Sequence, residues 1–329
     1  MQLTRLNDIS RSYDSVYISP HYDDAVAACG GRIVDQIKTG QRVLVVTVFT
    51  RSAAKTDSRA TRRFAAEYPR RRQEDKAAMA ALGADFLWLD YPDIVFRTAY
   101  PLFRYWPTYR DTPGNNTLLQ SIVSDLRTLC QKTGCSQLML PMGIGQHMDH
   151  QILFQAGLAL AKRNDKTVAL TFYEDCPYNL FPAMLSYRMK ITGSIHHLRS
   201  TAGQSIHLSF GSGLKDAVAL LSGRPESTVR SRLRKAISLL FILSFGFHTR
   251  HLLRKHPSPL QGRFFIRQDL YNISRRIDDK VNAIQIYASQ LKFPVLQRRR
   301  IKNALSAYSA FLEAPPNHFY ERYWHAEFL

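Results

Sequence analysis

Between Ser15 and Tyr178, short runs rich in β-branched and aromatic residues alternate with longer stretches in which apolar residues recur every three or four positions. A period of two alternating with a period near 3.6 marks βαβ units and a parallel sheet. The runs predict strands over Val16 to Ser19, Arg42 to Phe49, Asp85 to Leu89, Gln137 to Pro141 and Thr167 to Tyr173. The stretches between them predict helices near Asp24 to Lys38, Arg70 to Leu82, Thr117 to Lys132 and Asp149 to Arg163. Gly40, Gly83 and Gly134 stand where left-handed caps would end three of these helices. The expectation is an α/β fold with a doubly wound, mainly parallel, Rossmann-like sheet. Such sheets bind ligands beyond the carboxyl ends of their strands. Two long irregular segments, Thr50 to Tyr68 and Tyr91 to Asn116, leave predicted strands at those ends. Loops of that length in a compact domain are usually functional, so both are candidate pocket walls.

After Tyr178 the periodicity weakens. The chain is expected to divide at 178, with a basic, mostly helical C-terminal region over 179–329 that completes or covers the active-site side. The 329 residues carry 45 Lys and Arg against 26 Asp and Glu, a formal charge of +19. Residues 179–329 hold 23 basic and 8 acidic residues, so +15 of that charge lies in the C-terminal region. A field of that sign attracts polyanions: an anionic membrane face, a phosphate-bearing conjugate or nucleic acid. Within it, Ser227 to Lys255 encloses the apolar run Ala236 to Phe247. That run is too short to span a bilayer, which takes about 20 apolar residues. Two readings remain, an element lying at a membrane interface and an ordinary core or lid helix. Cys29, Cys130, Cys135 and Cys176 contain no Cys-x-x-Cys pair, and residues 1–15 hold no apolar run. Reduced thiols and a cytoplasmic protein, peripheral at a membrane at most, are expected.

Two segments concentrate chemistry. After the first predicted strand come Pro20, His21, Tyr22, Asp23 and Asp24, one imidazole and two carboxylates at a carboxyl end. Hydrolytic zinc takes imidazole and carboxylate ligands, an open position for water and a nearby carboxylate to receive a proton. His21 and Asp24, three apart at a strand-to-helix turn, can converge on one ion while Asp23 points elsewhere. Beyond Gln137 to Pro141 the chain runs through Gly143 and Gly145 into His147, Met148, Asp149 and His150, where His150 offers a third ligand. His147 and Asp149 are then left for supporting or catalytic work. Taken singly, a histidine is more often a surface or satisfied core residue, and an Asp before a helix is more often a cap. Two such segments at two strand ends, with complementary ligand types, favour a metal site.

The pair resembles the PIG-L/LmbE-like family of zinc-dependent N-acetylglucosamine deacetylases, whose motifs run Pro-His-Pro-Asp-Asp and His-Pro-Asp-His. Arg71-Arg72-Gln73-Glu74 resembles the family's Arg-x-x-Glu helix, and Tyr287-Ala288-Ser289-Gln290 ends a stretch similar to its C-terminal helix. The resemblance implies Zn2+, or another divalent metal, held by His21, Asp24 and His150. It further implies Asp23 as general base, His147 as oxyanion stabiliser, Asp149 orienting an imidazole and Arg71 binding substrate. The reaction implied is release of acetate from an N-acetylated sugar or glycoconjugate, an anionic one included. Tyr22 and Met148 replace the family's prolines, neither of which is a ligand. Gly145 stands where some relatives carry a tyrosine. The competing class is a polyanion- or membrane-binding protein whose PIG-L-like core is not catalytic. A hydrolase of another amide is the alternative within enzymes.

Overall fold

The computed structural model describes residues 1–52, 59–97, 115–161, 168–180, 184, 185, 188, 264–291 and 298–328. The basic stretch from Ser227 to Lys255 lies outside them, and among the described residues no helix is long and apolar enough to cross a membrane. One mixed sheet of eight strands runs through the molecule. Its strands are β1 (Gln2–Leu3), β2 (Ser15–Ser19), β3 (Val43–Thr47), β4 (Asp85–Trp88), β5 (Gln137–Pro141), β6 (Ala169–Tyr173), β7 (Phe264–Asn272) and β8 (Tyr320–Phe328). The spatial order is β1-β4-β3-β2-β5-β6-β8-β7. Neighbours from β1 to β6 pair in parallel, and β8 joins β6 and β7 antiparallel.

All five strands expected from the sequence are present within a residue or two of their expected ends. β1, β7 and β8 were not expected. β7 and β8 are rich in charged residues (Arg267, Asp269, Glu321, Arg322), so they carry no simple apolar alternation. They form because each completes the other's backbone ladder over nine residue pairs and β6 supplies an edge.

The helices are α1 (Asp24–Lys38), α2 (Arg59–Ala66), α3 (Tyr68–Leu82), α4 (Ile94–Arg97), α5 (Asn115–Thr133), α6 (Met148–Ala161), α7 (Ile277–Ile286) and α8 (Arg298–Phe311). α2 and α4 lie in the two segments read as irregular. The three glycines do end their helices with φ between +56° and +89°. The central strands are buried on both faces, which is why they read as continuous Val and Leu runs. Val16, Ile18, Leu44 and Val46 face one apolar core with residues of α5 and α6. Tyr17, Val43 and Val45 face the other, with α1, α3, α7 and α8.

α1 and the C-terminal elements are joined by a buried charge pair. Lys280 Nζ donates to Glu321 Oε1 at 2.7 Å and to the Ala28 carbonyl at 2.9 Å. The Glu321 carboxylate accepts the backbone N–H groups of Gly31 (2.9 Å) and Arg32 (3.1 Å) and the Tyr323 hydroxyl (2.7 Å). Gly31 has no room for a side chain, because a Cβ there would lie 2.7 Å from Ile273. The Gly30-Gly31 pair therefore serves close packing of helix α1 against the segment entering α7.

Lys280 and Glu321 have side chains only 2% and 4% exposed, so removing one leaves the other in the core without its counter-charge. Lys280→Met is expected to lower unfolding free energy by about 3–5 kcal/mol in a denaturant titration. Lys38→Ala, which breaks the exposed Lys38–Asp279 pair, should change it by no more than about 1 kcal/mol.

Candidate active site

The strand order reverses at β2, whose neighbours are β3 on one side and β5 on the other. At such a switch point the two following loops diverge to opposite faces and open a crevice at the carboxyl ends. His21 to Asp24 leave β2 there, and the loop from β5 brings in His147 to His150. Ser19 Oγ secures the first turn by donating to the His21 carbonyl (2.5 Å) and accepting the Ala25 N–H (2.9 Å). Tyr22, at the position of a family proline, is buried. Its hydroxyl donates to the Thr50 carbonyl at 3.0 Å, and its ring packs edge-on to Trp88 at 5.5 Å. The tyrosine thus ties the turn to the loop after β3.

Asp24 is the meeting point of the two segments. Its Oδ2 lies 3.1 Å from His21 Nδ1 and 3.2 Å from His150 Nε2. The far nitrogen of each imidazole is held by another carboxylate: His21 Nε2 by Asp149 Oδ2 at 3.1 Å, and His150 Nδ1 by Asp175 Oδ1 at 2.6 Å. Asp175 is itself fixed by the Ile144 N–H at 2.8 Å. The His147 ring sits 4.9 Å from His21 and 5.0 Å from His150, and the Asp149 N–H donates to its Nδ1 at 3.3 Å. Ligating atoms of His21, His147 and His150 come within 4.8 Å of one another, as do those of His21, Asp93 and Asp149.

Burial alone would raise the Asp24 carboxyl, but the His150 and His21 imidazoles hold it well below its usual range. The converse applies to His150, where burial is outweighed by Asp24 and Asp175 and the imidazole is pushed up to about 9. His147 is held well below its ordinary value by burial, then by the charges of His21 and His150, and is therefore neutral. Burial, followed by neighbouring Asp24, pushes Asp23 up to about 6.

Of the residues singled out from the sequence, His21, Asp24, His147, Asp149 and His150 meet in one cluster, and Asp23 and Arg71 lie close enough to each other to interact by charge. Arg71 is buried, its guanidinium 4.3 Å from the Phe64 ring centroid and 5.6 Å from that of Tyr68. Its Nε has no hydrogen-bond partner among the described residues. Three further site residues were not assigned from the sequence. Asp175 follows β6, and the carboxyl-end rule that selected His21 would have found it. Asp93, 3.6 Å from His21 Nε2 and bonded by the Tyr68 hydroxyl at 2.8 Å, comes from the segment after β4. Arg97 also comes from there and pairs with Asp149. No local pattern marks either, because both are brought in by the path of a loop.

Gly145 takes a left-handed φ of +84°, and a Cβ there would fall 2.5 Å from the Tyr178 ring. The tyrosine expected in some relatives at this position is excluded here by Tyr178, whose ring lies 6.3 Å from His150.

Residues 16–161 match the PIG-L family, described as GlcNAc-PI de-N-acetylase. Among curated proteins the chain is 26% identical over 202 residues to a 2'-N-acetylparomamine deacetylase from Niallia circulans, covering 53% of this chain and 70% of that one. It is 26% identical over 166 residues to the protein of that name from Streptomyces fradiae, covering 50% of this chain but only 57% of the relative. Among solved structures, the deacetylase of the teicoplanin biosynthesis pathway has a TM-score of 0.62 at 19% identity, covering 97% of this chain and 99% of its own. The A40926 pseudoaglycone deacetylase Dbv21 has a TM-score of 0.60 at 20% identity, covering 96% and 97%. Both share the fold.

Next to the crevice, Asp75 accepts the Trp88 Nε1–H and the Tyr287 hydroxyl, each at 2.7 Å. Burial pushes its carboxyl up to about 7, against those two hydrogen bonds. The folded state then binds a proton more tightly than the unfolded chain, whose Asp titrates near 4. Stability from this group is full below about pH 4 and declines as pH rises toward 7. Asp75→Asn should flatten that decline, as measured by thermal melts across pH 4 to 8.

Proposed function

We propose that this protein removes the acetyl group from an N-acetylated amino sugar carried in a larger conjugate, with the help of a divalent cation, Zn2+ by preference. It is an amide hydrolase of the N-acetylglucosamine deacetylase-like kind. The observation carrying the proposal is the convergence of His21 and His150 on one Asp24 oxygen, with both outer nitrogens held by carboxylates. Carboxylate-anchored imidazoles are the usual support of a catalytic metal. We assign the cation to His21, Asp24 and His150, with His147 adjacent. The other cluster around His21 suits a cation less well, because Arg97 already places a positive charge on Asp149. The names of the curated relatives support an acetylated aminoglycoside-like sugar as substrate class.

A bound divalent cation would supply Lewis-acid polarisation of the amide carbonyl and acidify water. The remaining work falls to the chain. Asp23, raised toward neutrality, takes the proton from the attacking water and passes it to the leaving nitrogen, so that water and amide become acetate and amine. His147 accepts at Nδ1 from Asp149 N–H, which leaves the proton of its neutral ring on Nε2, a donor for the carbonyl oxygen as charge develops there. Arg71, with an uncommitted Nε beside two aromatic rings, binds sugar hydroxyls or a carbonyl.

Asp23→Asn should lower turnover roughly 100- to 10,000-fold while bound metal stays at the wild-type level. Acetate release from N-acetylated amino sugars and elemental analysis check the two halves. Chelation should abolish activity, and added zinc should restore it. Undiminished turnover in Asp23→Asn would overturn the mechanism.

A further inference from the structure

The short helix α4, which Arg97 ends, is joined to the site by two bonds to one residue. The Ile94 N–H donates to Asp149 Oδ2 at 3.1 Å, and the Arg97 guanidinium pairs with Asp149 Oδ1. Asp149 is fully buried and also holds His21 Nε2, while its own N–H holds His147. The Asp149 carboxylate therefore fixes the guanidinium and the His21 imidazole, and the same residue's N–H fixes His147.

Three observations say that this guanidinium does more than neutralise Asp149. Its Nε is buried without a hydrogen-bond partner among the described residues, and a desolvated donor left unpaired is costly enough to call for a ligand. The fully buried Phe49 ring lies 5.1 Å from its Cζ and 6.1 Å from the His21 ring, an apolar wall that keeps dielectric screening low. Asp23 and Asp93 bear on His21 and would repel an oxygen gaining negative charge, and Arg97 is a fixed cation near Asp93. A guanidinium edge also matches the two oxygens of a carboxylate.

Resting on the deacetylation reading, we propose that Arg97 is a further catalytic residue. It donates, alongside His147, to the acyl oxygen as that oxygen becomes anionic, and it then holds the acetate product. Asp149 preorganises it, so no side-chain reorganisation accompanies the reaction.

The test uses the full-length, metal-loaded protein and the variants Arg97→Gln and Arg97→Lys. Arg97→Gln should lose roughly 100-fold or more in kcat, keep wild-type metal content, bind acetate at least tenfold more weakly and recover part of its rate with added guanidinium. Arg97→Lys, which keeps the charge without the planar edge, should fall between, and is read in the same way if Arg97→Gln fails to fold. Wild-type kcat and acetate affinity in the variants would overturn the proposal. So would loss of metal in step with loss of rate, the outcome if Arg97 acts only through Asp149 and His21. Equilibrium dialysis with labelled acetate needs no turnover. If the wild type deacetylates no amino sugar, the functional reading falls, while equal acetate binding by wild type and variants, or none by the wild type, removes the role of Arg97.

Discussion

The arrangement depends on one shared oxygen. Asp24 Oδ2 receives imidazoles from two segments more than a hundred residues apart, and each imidazole is backed by a carboxylate that the fold has already desolvated. Burying several acids and bases together is tolerable only if opposite charges alternate at hydrogen-bond distance. Here they do: Asp149 to His21, His21 to Asp24, Asp24 to His150, His150 to Asp175. Each link fixes the direction of the next, so the ring nitrogens that would hold a cation are oriented before one binds.

That chain of contacts can exist only at the switch point of the sheet. β2 delivers His21 and Asp24, β5 delivers His147 to His150, and β6 delivers Asp175, all at carboxyl ends of adjacent parallel strands. The C-terminal elements support this from behind. Lys280 and Glu321 hold the backbone of α1 two turns beyond Asp24, and Tyr287 reaches Asp75 beside the crevice. The part of the chain richest in positive charge thus contributes, among its described residues, sheet edge and helix support. The charge itself resides partly in stretches outside those residues, and the attraction to membranes or polyanions expected from it gains no support from the comparisons with known proteins.

Sequence by itself determined the parallel core and marked the two segments that the proposed site brings together. β2, β3, β4, β5 and β6 were legible because strands buried on both faces are mainly apolar, and α1 and α5 because each turns one apolar stripe to the sheet. Histidine and aspartate crowded after two such strands marked the crevice, since polar residues at that density have few other reasons to follow an apolar run. Tertiary structure alone decided what depends on distant partners. β7 and β8 are strands because they complete each other's ladders against β6, not because of their composition. Asp93 and Arg97 enter the site through the course of the segment after β4, and Gly145 is held small by a tyrosine thirty-three residues later. Local sequence records burial and periodicity; it does not record which two remote segments a fold will bring to one oxygen.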